Sequence, residues 1–139
     1  MEISMAPKWV RGVVFGLAAL ALSGCASMAT TPELAVRERA TSHWKARLSG
    51  DMEAAYAFMP PSYRAVTTLD GYKKGFGNAA KLTSAQVEQV KCESADKCVS
   101  TTKIEARVAL ARASASAVTT VYDEVWVREN GQWWVFPTQ

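Results

Sequence analysis

The chain has 139 residues, 49% hydrophobic and 21% charged, with 16 basic side chains against 13 acidic ones. That size suits one domain around a single core, and a net charge of +3 without a basic stripe excludes a nucleic-acid footprint. No phosphate loop, Gly-x-Ser-x-Gly elbow, Ser-x-x-Lys pair or metal-ligand spacing occurs, so no cofactor and no metal are expected.

The chain opens with Lys8 and Arg11 ahead of an apolar run from Val13 to Leu22, the layout of a secretory signal. The run is ten residues long, about half of the ~20 that span a bilayer as a helix. Leu22-Ser23-Gly24-Cys25 closes it. This tetrapeptide resembles the lipobox of bacterial lipoproteins, whose cysteine is lipidated and becomes the first residue after cleavage. The resemblance implies a signal peptide over residues 1–24, starting at Met1 or Met5, and lipidation, palmitate included, on Cys25. The membrane is then a partner through that lipid. Ala26 follows, not the Asp that retains many such proteins at the inner membrane, which favours the periplasmic face of the outer membrane. Cleavage removes Lys8, Arg11 and Glu2 and leaves 115 residues with 14 basic and 12 acidic side chains.

Residues 25–31 read as a tether, and residues 32–139 as the domain. The five residues Ala26–Thr30 reach at most ~18 Å, which holds the domain close to its anchor. Thr31-Pro32-Glu33 predicts a helix start, with Thr as N-cap, Pro in the first turn and an early acid. Val36, Ala40, Trp44 and Leu48 recur every four residues as an apolar stripe. Gly50 ends that helix, and Asp51 caps a shorter one carrying Ala54, Ala55 and Phe58. Pro60-Pro61 stops it, because proline lacks the amide donor and disfavours helix at the residue before. A further short helix is predicted from Leu69 to Phe76.

From Leu82 onward the sequence favours strands. Ser100 to Leu110 alternates, with Thr102, Ile104, Ala106, Val108 and Leu110 on one face and Lys103, Glu105 and Arg107 on the other. Ala111 to Ala117 reads as a turn, and Val118 to Arg128 as a strand. Asn130-Gly131 is a strong signal for a two-residue hairpin loop. It sets Glu129 opposite Gln132, Arg128 opposite Trp133, Val127 opposite Trp134 and Trp126 opposite Val135. One face then holds Tyr122, Glu124, Trp126, Trp133 and Val135, and the other Val121, Val125, Val127, Trp134 and Phe136. In an oxidising envelope, Cys92 and Cys98, with five residues between them, read as a disulfide pinning a hairpin tip.

Helices followed by a long-stranded antiparallel sheet argue an α+β fold. The order Trp44, Gly50-Asp51, Ala55-Tyr56, Pro61-Ser62-Tyr63-Arg64, Tyr72, Phe76, Asp123-Glu124-Val125-Trp126-Val127 and Gly131-Gln132-Trp133 resembles the nuclear-transport-factor-2-like, or cystatin-like cone, domains. The resemblance covers about Val36 to Phe136. It implies N-terminal helices packed in a curved antiparallel sheet around a cone-shaped pocket. Some members of that superfamily are isomerases or dehydratases, and many bind ligands or partners without catalysis.

Trp44, Tyr56, Tyr63, Tyr72, Trp126 and Trp133 are the candidate lining of such a pocket, suited to a small apolar ligand, and equally the material of a small core. Among the acids Asp70, Glu105, Asp123 and Glu124, only Glu124 is predicted to face inward between aromatics, which makes it the candidate catalytic base. The single histidine, His43, falls at the edge of the apolar stripe, a boundary position. Val125, Val127, Trp134 and Phe136 form a candidate interface for a homodimer or an envelope protein partner. The expectation is therefore an outer-membrane-anchored periplasmic lipoprotein acting as a non-catalytic binding or interaction module. The alternatives are an isomerase- or dehydratase-like enzyme using Glu124, or a purely structural envelope protein.

Overall fold

The computed structural model describes residues 30–75, 80–110 and 113–137. The signal segment, Cys25 and Phe76 lie outside these residues. Four helices, α1 (Pro32–Ser49), α2 (Met52–Tyr56), α3 (Pro61–Arg64) and α4 (Leu69–Gly75), precede four strands, β1 (Ala80–Ser94), β2 (Lys97–Leu110), β3 (Ala113–Glu129) and β4 (Gln132–Phe136). The strands pair antiparallel in the order β1-β2-β3-β4, so each hairpin joins sheet neighbours.

The expected α+β architecture, helices packed in a cone-like sheet behind a cleaved signal, is corrected by this arrangement. The described residues form a strand-dominated antiparallel meander with a few short helices. β1, β2 and β3 run 15, 14 and 17 residues, whereas α2, α3 and α4 have only five, four and seven. The reason is physical: caps and prolines mark where helices begin and end, but a one-turn helix cannot shape a domain. Two boundaries also move. Pro61 opens α3, because a proline at the first helical position gives up an amide that would be unpaired anyway. β3 begins at Ala113, inside the stretch read as a turn.

The N-terminal signals act as the sequence predicts. Thr31 Oγ1 accepts from the Leu34 amide at 3.3 Å, Gly50 closes α1 in the left-handed region at φ 74°, and Asp51 Oδ1 accepts from the Ala54 amide at 2.9 Å. Val36, Ala40 and Trp44 are buried, but Leu48 is 36% exposed. The stripe therefore packs over its first three members only.

α1 packs chiefly on β1, with smaller contacts to β2 and β4. One clamp is explicit. β1 carries a register irregularity between Val87 and Gln89, and Arg37 of α1 donates from Nη1 to the Val87 carbonyl at 2.9 Å and from Nη2 to the Glu88 carbonyl at 3.4 Å. Carbonyls at the irregularity thus find a partner that holds helix to sheet. At the other end, the Val135 amide of β4 donates to the Phe58 carbonyl at 3.0 Å, so the segment after α2 covers part of that edge.

The β3–β4 register matches the predicted one at all four pairs, with Asn130 and Gly131 at φ 54° and 77°. The inward faces of β2, β3 and β4 supply Cys98, Ser100, Thr102, Glu124, Trp126, Trp133 and Val135, all buried. Met59, Ala55 and Tyr72 complete the core from the helical side. The Cys92–Cys98 disulfide joins directly opposed residues of β1 and β2, next to the hairpin turn.

Candidate functional site

α1 presents His43, Trp44 and Arg47 on one side, since positions three and four apart share a helix face. Opposite them, β3 contributes Tyr122 and Glu124, β2 Ile104, and β4 Val135 and Phe136. Tyr63 of α3 and Gly71 and Tyr72 of α4 close the side. These residues line a cleft of about 750 Å³.

At its floor lies a buried polar cluster. Glu124 is 3% exposed and His43 1% exposed. The Trp44 indole N–H donates to Glu124 Oε2 at 2.8 Å. His43 Nδ1 stands 3.1 Å from Glu124 Oε1. The two atoms lie outside hydrogen-bond geometry, and neither ring nitrogen of His43 has a hydrogen-bond partner among the described residues. Three aromatic rings surround the imidazole: Phe58 at 5.6 Å, Trp44 at 6.0 Å and Trp126, edge-on, at 6.3 Å between centroids. The boundary position expected for His43 is thereby corrected. The Glu124 carboxylate, brought from a strand far along the chain, makes the interior habitable for a polar ring.

The walls are aromatic and donor-rich. Tyr122 meets Trp44 edge-on at 5.9 Å, and the Arg47 guanidinium lies 4.4 Å from the centroid of the Trp44 ring. Burial pushes the Tyr72 phenol up to about 12; Arg47 pulls the other way, and Glu124, Tyr63 and Tyr122 add to the rise. Tyr72 therefore keeps its proton at neutral pH and remains a hydrogen-bond donor.

The six predicted lining residues divide evenly. Trp44, Tyr63 and Tyr72 line the cleft. Trp126 and Trp133 belong to the core, with the Trp126 indole donating to Ser100 Oγ at 2.9 Å. Tyr56 packs on Tyr72 at 5.4 Å and donates from its hydroxyl to the Thr67 carbonyl at 2.5 Å. The other acids, Asp70, Glu105 and Asp123, are exposed.

The candidate interface does not form one open patch. Trp134 is only 9% exposed; Arg39 and Arg64 lie 5.3 and 5.4 Å from its ring, and its indole donates to the Glu129 carbonyl at 3.1 Å. Burial lowers the pKa of the Arg39 guanidinium at this contact. Phe136 borders the cleft but is 48% exposed, and Val125 and Val127 are half-buried. Sequence reasoning passed over Arg47 and Ser100. The spacing of Arg47 from His43 and Trp44 could have found the first, while nothing local marks the second.

In chemical terms the site offers apolar rings, a guanidinium and tyrosine hydroxyls to the cleft. Glu124, its sole carboxylate among the described residues, turns both oxygens to the protein. No group of three or more metal-ligating side chains occurs among the described residues, and no helix there is long and apolar enough to cross a membrane.

No protein-family model matches the chain, and no curated protein matches it. Among solved structures, the chain is similar to a SEC-C motif containing protein from Rhodopseudomonas palustris, with a TM-score of 0.53 and 13% identity over 76% of this chain and 75% of that one. At that identity the likeness concerns the fold alone.

Proposed function

We propose that this chain is a lipid-anchored envelope protein whose domain binds a small, largely apolar molecule without transforming it. The cleft carries the reading. Its volume of about 750 Å³ falls in the range of roughly 300–1,000 Å³ typical of small-molecule sites, and Trp44, Tyr63 and Tyr72 wall it. Glu124 speaks against catalysis. A general base must reach a substrate proton, but one Glu124 oxygen accepts from Trp44 and the other faces His43. Both nitrogens of His43 are themselves closed off from solvent. The anchor rests on Cys25 and the segment before it, which lie outside the described residues.

Two experiments test the reading. The neutral fluorophore 1-N-phenylnaphthylamine, added to the full chain, is expected to brighten saturably at one site. Ile104→Trp, which fills the cleft from β2, removes the response while circular dichroism stays unchanged. Absence of any saturable response overturns the binding role. Labelled palmitate should enter the chain in cells and be lost in Cys25→Ser, with release from the membrane fraction; a variant that stays membrane-bound overturns the anchor.

A further inference from the structure

The sheet ends unevenly. β4 pairs only with Val125–Glu129, so from Ala113 to Glu124 β3 has β2 on one side and no strand on the other among the described residues. We propose that a second copy of this chain pairs there, β3 against β3 and antiparallel, joining two four-stranded sheets into one symmetric dimer. The dimer is independent of what the cleft holds.

Three observations converge. First, the margin is bare. Every residue from Ala117 to Asp123 is exposed, including Val118 at 45%, Val121 at 58% and Tyr122 at 37%. Strand alternation sends Val118 and Tyr122 to one face and Val121 to the other, so neither face is closed here. Among the described residues, the backbone of this stretch makes no hydrogen bond to a helix or loop. An unpaired strand margin is a template for another strand. Second, the margin lacks the devices that protect one. Ala113 to Tyr122 contains no charge, proline or glycine, and its pairing with β2 is unbroken from Ser116 onward. β1, at the other margin, has what β3 lacks: three register irregularities, the charges of Lys81, Glu88, Lys91 and Glu93, and Arg37 on the carbonyls of Val87 and Glu88. A β1-to-β3 contact would also propagate head to tail, whereas β3 on β3 is isologous and stops at two copies. Third, charge selects the partner and the direction. An uncharged run meets its own copy without opposing like charges. Asp123 follows the run directly. Antiparallel pairing sends the two copies of this acid to opposite ends of the interface; parallel pairing would set them side by side.

Sedimentation equilibrium of the full chain in a mild non-ionic detergent should fit a monomer–dimer equilibrium. Thr119→Lys and Val121→Lys each enter the interface twice and should raise the dissociation constant roughly tenfold. Both positions are exposed, so circular dichroism and thermal melts should match those of the unaltered chain. Val66→Lys, at an 84% exposed site in the turn after α3, should leave the dimer as it is. Hydrogen exchange locates the contact. Alternate amides between Ser116 and Tyr122 should exchange roughly tenfold more slowly at concentrations that favour the dimer. A monomer at every concentration, with these amides exchanging freely, overturns the second copy and leaves the margin to a strand of another protein. A dimer that survives both lysines, or whose protection falls elsewhere, overturns the β3 pairing.

Discussion

The Trp44 indole donates to Glu124 Oε2 at 2.8 Å, which ties α1 to the inward face of β3 where water is excluded. That contact engages one carboxylate oxygen at the floor of the cleft. Removing it should therefore be read first as a loss of stability. Glu124→Ala leaves the Trp44 indole N–H buried without a partner, and should cost about 1–3 kcal/mol. Glu124→Gln should cost less, because the amide oxygen still accepts from Trp44. Urea unfolding followed by tryptophan fluorescence measures both, and equal losses would contradict the assignment.

Tyr72 makes stability fall at alkaline pH. Its phenol is held near 12 in the folded chain against 10 when free. Folding therefore favours the protonated form. Its contribution is whole below pH 10 and is lost as pH climbs from 10 through about 12. Melting temperature against pH should decline more steeply for the unaltered chain than for Tyr72→Phe across that window. Parallel curves would show that the burial of this hydroxyl has no energetic weight.

Ser100 has one visible task, to accept from the Trp126 indole at 2.9 Å in a fully buried position. Ser100→Ala should destabilise the domain by about 1–3 kcal/mol, the penalty for a buried donor left unsatisfied. Combined with Trp126→Phe, the serine substitution should add much less than its own single effect. A double-mutant cycle from urea midpoints decides it, and strict additivity would refute the coupling.

The Cys92–Cys98 bridge closes a loop with a sequence separation of only 6. The chain-entropy gain for so short a loop is about 2 kcal/mol. Reductant should lower the unfolding free energy by that amount, read from urea unfolding with and without reductant. Because Cys98 is fully buried, thiol labelling after reduction should modify Cys92 first.

The caps at Thr31, Gly50 and Asp51 and the hairpin at Asn130-Gly131 were legible because each is a local contract between a side chain or a left-handed backbone and its immediate neighbours. The inward orientation of Glu124 followed from the hairpin register, for strand alternation carries a local fact along the whole element. His43 was not legible. Its burial depends on a carboxylate that arrives from β3 and on rings from elsewhere, and no helical wheel contains them. The division of the aromatics between cleft and core was hidden for the same reason: Trp44 and Trp126 look alike in sequence, and only packing sends one to the wall and the other beneath it. The dominance of strand over helix was obscured at both ends of the sheet. The Ala–Ser stretch that opens β3 has no apolar alternation, so its pairing with β2 comes from the register of its neighbours.

The hydrogen bond from Val135 to Phe58 joins the last strand to the segment following α2. It has a bearing on the order in which the molecule comes into being. Residues from α1 must wait for β3 to receive their carboxylate, and the wall is finished only by β4. Before β3 has formed, His43 and Trp44 of α1 stand without the carboxylate that receives them. Deletion of β4 should therefore remove the Val135 and Phe136 side of the cleft and leave β3 as a bare sheet margin open to pairing with other chains.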